Sequence, residues 1–132
     1  MPILDTVVIF AVADDKDRFH RAAKAQLSRL SSRTRLASFA LTEFDVVLRS
    51  RGYSVSQRAR ELLLLLRDYP RSASAVHAVS PSTFVLASGV EGRLGLDYFD
   101  SLVAAEALQH DGRVVSSDRE FDRVPGLKRI PL

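Results

Sequence analysis

The first apolar positions fall at residues 3–10, Ile-Leu-Asp-Thr-Val-Val-Ile-Phe, a β-branched run interrupted by one acid. This pattern predicts a strand buried on both faces, as at the centre of a parallel sheet. Asp14, Asp15 and Asp17 then crowd the start of a predicted helix, where acids favour the positive end of the dipole. Phe19, Ala22, Ala23, Gln26, Leu27 and Leu30 share one face of that helix, which spans about 18–30. A short strand is predicted over 35–38, with Ser38 capping a helix from Phe39 to Ser50 that Gly52 stops. Ser54-Val55-Ser56-Gln57 has the form of a capping box and opens a helix to about Asp68. Residues 70–74 read as a loop and 76–79 as a short strand. Ser80-Pro81 is a cap followed by proline, and its helix should end near Gly92. Asp97 caps a helix that runs to about Asp111. A buried strand at 113–116, a turn at 118–122 and a last strand at 128–130 complete the chain.

Strands alternating with helices predict a single α/β domain over 1–132, with a mostly parallel central sheet and helices on both faces. Leu62–Leu66 is five consecutive leucines within a helix. Five in a row cover its whole circumference, so they fit either a helix buried by neighbours or a subunit interface.

The chain has no cysteine, which excludes disulfides, thiolate metal sites and a cysteine nucleophile. No apolar run approaches the roughly 18 residues of a membrane span, and the start lacks a signal-peptide pattern; both point to the cytoplasm. The net charge is +3, with 16 Arg against 3 Lys. Arginine forks suit phosphate, but so small an excess of charge does not by itself mark nucleic-acid binding. His20, His77 and His110 have no metalloprotease spacing, and there is no Gly-rich phosphate loop or GxSxG elbow.

The informative residues are acids placed where acids are costly. Most fall on polar faces or helix ends, Asp45 and Glu106 among them. Asp5 interrupts the first apolar strand. Glu43 falls at the edge of the apolar arc of its helix, roughly 300° round from Ala40, whereas Asp45 faces outward. Asp100 immediately precedes the apolar Ser-Leu-Val-Ala-Ala segment, and Asp118 follows the strand at 113–116. Residues just past strand C-termini, and on the first turns of the helices that follow, converge at one edge of a parallel sheet. Each acid alone also has an ordinary structural reading, as a strand-end acid, a rim residue, a first-turn acid or a turn former. Together, unpaired buried carboxylates repel, and a hard divalent cation with oxygen ligands, Mg²⁺ or Mn²⁺, resolves the conflict.

These residues also carry a family resemblance. Leu4-Asp5-Thr6, the stretch from Ser38 to Glu43 with Leu48, Gly95-Leu96-Asp97-Tyr98-Phe99-Asp100-Ser101-Leu102-Val103-Ala104-Ala105, and Val115-Ser116-Ser117-Asp118-Arg119-Glu120-Phe121 resemble the four motifs of PIN-domain ribonucleases in order and spacing. The resemblance covers nearly the whole chain and is similar to the toxin of VapBC toxin–antitoxin pairs. It implies that Asp5, Glu43, Asp100 and Asp118 are the catalytic and metal-binding acids, holding one or two Mg²⁺ or Mn²⁺ ions. It places Thr6 and Ser116 behind them as hydrogen-bonding supports. Asp97 stands where the family has a helix-capping Ser, and is read as a cap with a possible ligand role. Val7 stands where the family often has Asn. The implied activity is hydrolysis of RNA to 3′-hydroxyl and 5′-phosphate ends, with an antitoxin protein as partner and a homodimer as the assembly. Arg33, Arg35, Arg49, Arg51, Arg119 and Arg123 are candidates for RNA phosphate contacts. The alternative is a non-catalytic RNA- or protein-binding module of the same fold. A small phosphatase using the same acids has no support beyond the carboxylates themselves.

Overall fold

The computed structural model describes all residues from Met1 to Leu132. Four parallel strands form the sheet: β1 (Ile3–Leu4), β2 (Arg35–Leu36), β3 (Arg113–Val115) and β4 (Lys128–Ile130), in the order β2-β1-β3-β4. Six helices accompany them: α1 (Thr6–Ala13), α2 (His20–Leu27), α3 (Ser38–Ser50), α4 (Val55–Asp68), α5 (Pro81–Leu94) and α6 (Tyr98–His110). Chain connections leave β1 towards β2 and later return across it to β3. Right-handed crossovers in opposite directions place helices on both faces of the sheet, the α/β architecture expected. The strand order reverses between β1 and β3. In open parallel sheets the crevice past the strand ends at such a point is where ligands bind.

The largest departure from the expected elements is at the start. The apolar run at 3–10 is not one strand. It pairs only at Ile3 and Leu4, then turns into α1 at Thr6. A run apolar all round suits a helix buried on most sides as well as a buried strand, and periodicity does not separate them. Val8, Ile9 and Ala11 are buried, while Val7, Phe10 and Val12 pack partly buried against the same core. Packing thus overrides the β preference of Val and Ile. Asp5 consequently stands past its strand, at the N-cap position of α1, rather than inside it.

Smaller differences have local causes. The helix expected over 18–30 is only α2, because 14–19 is taken up by turns in which Asp14 and Asp17 accept the N–H groups of Lys16 and Phe19 at 3.0 and 2.8 Å. The strand expected at 76–79 reduces to one parallel bridge between Leu36 and Val76. α5 passes through Gly92 and stops at Gly95, whose φ of 68° is the left-handed end that glycine permits. The capping box at Ser54 is present, with Gln57 N–H on Ser54 Oγ at 3.2 Å and Ser54 N–H on Gln57 Oε1 at 2.8 Å. Of the five leucines in α4, Leu65 is buried, Leu62 and Leu64 are half-buried, and Leu63 and Leu66 are exposed. No helix is long and apolar enough to cross a membrane.

Candidate active site

Asp5 leaves the C-terminal end of β1 and Ser116 the end of β3, on either side of the point where strand order reverses. The Asp5 N–H donates to the Val115 carbonyl at 3.1 Å and fixes the backbone there. Ser116 Oγ donates to Asp5 Oδ2 at 2.7 Å and accepts the Asp118 N–H at 3.0 Å. One hydroxyl therefore positions two of the four expected acids. The other oxygen, Asp5 Oδ1, is buried without a hydrogen-bond partner. A buried acceptor without a partner carries a desolvation cost that a bound cation removes.

The remaining acids approach from two helices. Glu43 is on the second turn of α3, where Thr6 Oγ1 donates to its Oε1. Asp100 is in the first turn of α6, and its N–H donates to Asp97 Oδ1 at 2.8 Å, so Asp97 caps this helix as read from the sequence. Asp118 Oδ1 accepts the Glu120 N–H at 2.9 Å and starts a short 3-10 turn at 119–123.

Electrostatics ties the acids together. Burial pushes the Asp5 carboxyl up to about 6, against the bond from Ser116 and the nearby Thr6 N–H, and the charges of Glu43 and Asp118 add to the rise. Burial also raises Glu43, opposed by Thr6 and reinforced by Asp97 and Asp118. Asp100 is pushed up to about 8, first by burial, then by the charges of Asp97, Asp118, Asp5 and Glu43. No basic side chain offsets these charges. All the donors are oxygens, which fits a hard divalent cation. The carboxylates are not already drawn together: no three acids or histidines stand at the spacing of a ready metal site. The donor chemistry and the unpartnered Asp5 oxygen fit such an ion, and closing on it requires side-chain rotation.

The six arginines fare unequally. Arg123 pairs with Glu120 at 2.5 Å, Arg35 bonds the Ser32 and Val76 carbonyls at 2.7 and 3.2 Å, and Arg51 lies 5.1 Å over the Phe10 ring. All but Arg35 are exposed, and Arg33, Arg49 and Arg119 are those whose side chains make no hydrogen bond or ion pair. Glu106 corrects the sequence reading in another way. The sequence pattern puts it on a polar face, yet it is fully buried, and Ser38, expected as the cap of α3, is instead its first residue, capped by Glu106. No local pattern could reveal this, since the two residues are 68 positions apart.

A model of the PIN domain matches residues 3–127. No curated protein matches the chain. Three solved structures similar to it in fold share only 16% sequence identity. A VapBC2 complex from Rickettsia felis, bound to a DNA fragment from its promoter, contains a chain that superposes with a TM-score of 0.73, covering 98% of this chain and 97% of that one. FitAB bound to an IR36 DNA fragment contains one with a TM-score of 0.71, covering 99% and 94%. A toxin–antitoxin complex from Klebsiella pneumoniae contains one with a TM-score of 0.67, covering 97% and 96%.

Proposed function

The chain belongs to the PIN-domain family, and on that premise we propose that it is a metal-dependent endoribonuclease, the toxin of a VapBC-type toxin–antitoxin pair acting in the cytoplasm. The observation that carries this reading is the bond from Ser116 to Asp5 across the β1–β3 crevice, with Asp5 Oδ1 left unpartnered among Glu43, Asp100 and Asp118. Asp5, Glu43, Asp100 and Asp118 would hold one or two Mg²⁺ or Mn²⁺ ions. When bound, such an ion polarises the phosphodiester and makes water a stronger nucleophile at neutral pH.

The chain's own residues do the positioning. Ser116 holds Asp5 and the backbone of Asp118 in register, so both acids keep their aim when substrate arrives. Thr6 restrains Glu43 in the same way. Asp97 orders the first turn of α6 and so the Asp100 backbone, and adds its negative charge to the site. Arg33, Arg49 and Arg119 are the arginines free to meet RNA phosphates. The three structures of similar fold, complexes of toxin and antitoxin type among them, support an antitoxin partner. Leu63 and Leu66, exposed on α4, suit a homodimer contact.

Labelled RNA incubated with Mn²⁺ tests the proposal. The parent protein is expected to cut it to 3′-hydroxyl and 5′-phosphate ends, and the Asp5→Asn variant is expected to leave it whole. Equal cleavage by both would remove the assigned site. The absence of three acids at ligand spacing favours a second reading, a non-catalytic RNA- or protein-binding module. The same assay separates the two, because a binder retains RNA intact in Mn²⁺.

A further inference from the structure

Glu106 lies on α6 six residues past Asp100 and is fully buried. Its Oε1 accepts the Ser38 N–H at 2.7 Å, and its Oε2 accepts the Phe39 N–H at 3.1 Å. These are first-turn N–H groups of α3, which have no partner within their own helix. Ala37, at the N-cap position, has no side chain that can serve them. His77 Nδ1 stands 3.3 Å from Glu106 Oε1, and Ser38 Oγ donates to the His77 carbonyl. One carboxylate from α6 thus closes the start of α3 and holds the segment beside β2.

The two joined helices each carry one of the acids: Glu43 on α3 and Asp100 on α6. Ser38 precedes Glu43 by five residues and Asp100 precedes Glu106 by six. At 1.5 Å per residue, each acid lies only about 8–9 Å along its helix from the clamp. We propose that Glu106 is a positioning residue, which fixes the start of α3 against α6 and so sets the spacing of Glu43 and Asp100 across the site. A local Ser, Thr or Asp would cap α3 at least as well. A local cap, however, makes no bond between α3 and α6. Burying a carboxylate is costly, and an apolar residue would fill the volume without that cost. What the carboxylate adds is a two-point bond between helices.

The inference rests on reading Glu43 and Asp100 as one site, and its test keeps the two ideas apart. The chain lacks cysteine, so spin labels can be placed singly at Val46→Cys on α3 and Tyr98→Cys on α6, both exposed. Electron–electron distances are then measured without metal. The parent should give a narrow distribution. Glu106→Ala should broaden and displace it, and Glu106→Gln, which keeps one oxygen, should fall between. Leu65→Ala, a buried change on α4, should lower the melting temperature and leave the distribution alone. Unlabelled Glu106→Ala should also bind Mn²⁺ about tenfold or more weakly than the parent. A lowered melting temperature with an unchanged distribution in the Glu106 variants would overturn the proposal and leave Glu106 a plain cap. If Glu106→Ala does not fold, Glu106→Gln decides by the same measurement. A displaced distribution, with no Mn²⁺ binding even by the parent, would support the clamp and remove the nuclease reading.

Discussion

Asp100 shows how far a single side chain is shaped by its neighbours. With its carboxyl pushed up to about 8, it keeps its proton at neutral pH until a cation displaces it. Mn²⁺ binding is therefore expected to release protons and to tighten as pH rises from about 6 to about 9, which calorimetry in buffers of different ionisation enthalpy would show. Stability in EDTA should move the other way. Asp5, Glu43, Asp100 and Glu106 all bind their proton more tightly folded than unfolded. Their contribution is whole below about pH 4 and is lost as pH rises through about 6 for Asp5, about 7 for Glu106 and about 8 for Asp100. His77, lowered by burial and by the His110 and Arg35 charges, opposes this with one group against four. The metal-free melting temperature should fall between about pH 5 and about pH 8.5, and Mn²⁺ should reverse most of the fall. Asp100→Asn should raise metal-free stability at about pH 8 by about 1 kcal/mol or less, since the group is only half-buried and solvent screens it. A variant that melts lower in EDTA and gains as much from Mn²⁺ as the parent would leave Asp100 as only a first-turn acid. The acids were legible in the sequence because each sits in or beside apolar surroundings, where charge is costly. Glu106 was not, because the N–H groups that account for it belong to another helix.

At the level of elements, the helices with strong start signals begin where expected, and the departures at α1 and α3 share one cause. Ser54 with Gln57, Ser80 with Thr83, and Asp97 each satisfy orphan N–H groups locally, and Pro81 lacks one, so their helices start where the sequence says. α1 has no such signal. Its start is fixed by the pairing of Ile3 and Leu4 with both β2 and β3, partners that lie far along the chain. α3 likewise depends on α6 for its cap. Replacing Ser54 by Ala should cost about 1 kcal/mol, read in a thermal melt, because only a local cap is lost. Glu106→Ala should cost more than that, since two N–H groups are left without a partner in the core. The leucine run shows a further limit. Periodicity could not say which of the five face inward, and only the fold leaves Leu63 and Leu66 outside.

The whole molecule gathers its candidate site around a very short sheet. The candidate acids gather at the strand ends although the net charge is +3. If Leu63 and Leu66 meet a second copy, light scattering should show a species near twice 14.6 kDa, and Leu63→Arg should return it to the monomer. A monomer at every concentration would remove that contact. The pairing of β1 with β3 has a consequence in time. Asp5 and its supporting Ser116 are 111 residues apart. While the protein is being synthesised, its first acid emerges early and the strand that must hold it is still inside the ribosome. The site therefore cannot form until both strands are available, and closing a pairing so distant in sequence makes the gathering of the acids a late step of folding, after the local helices.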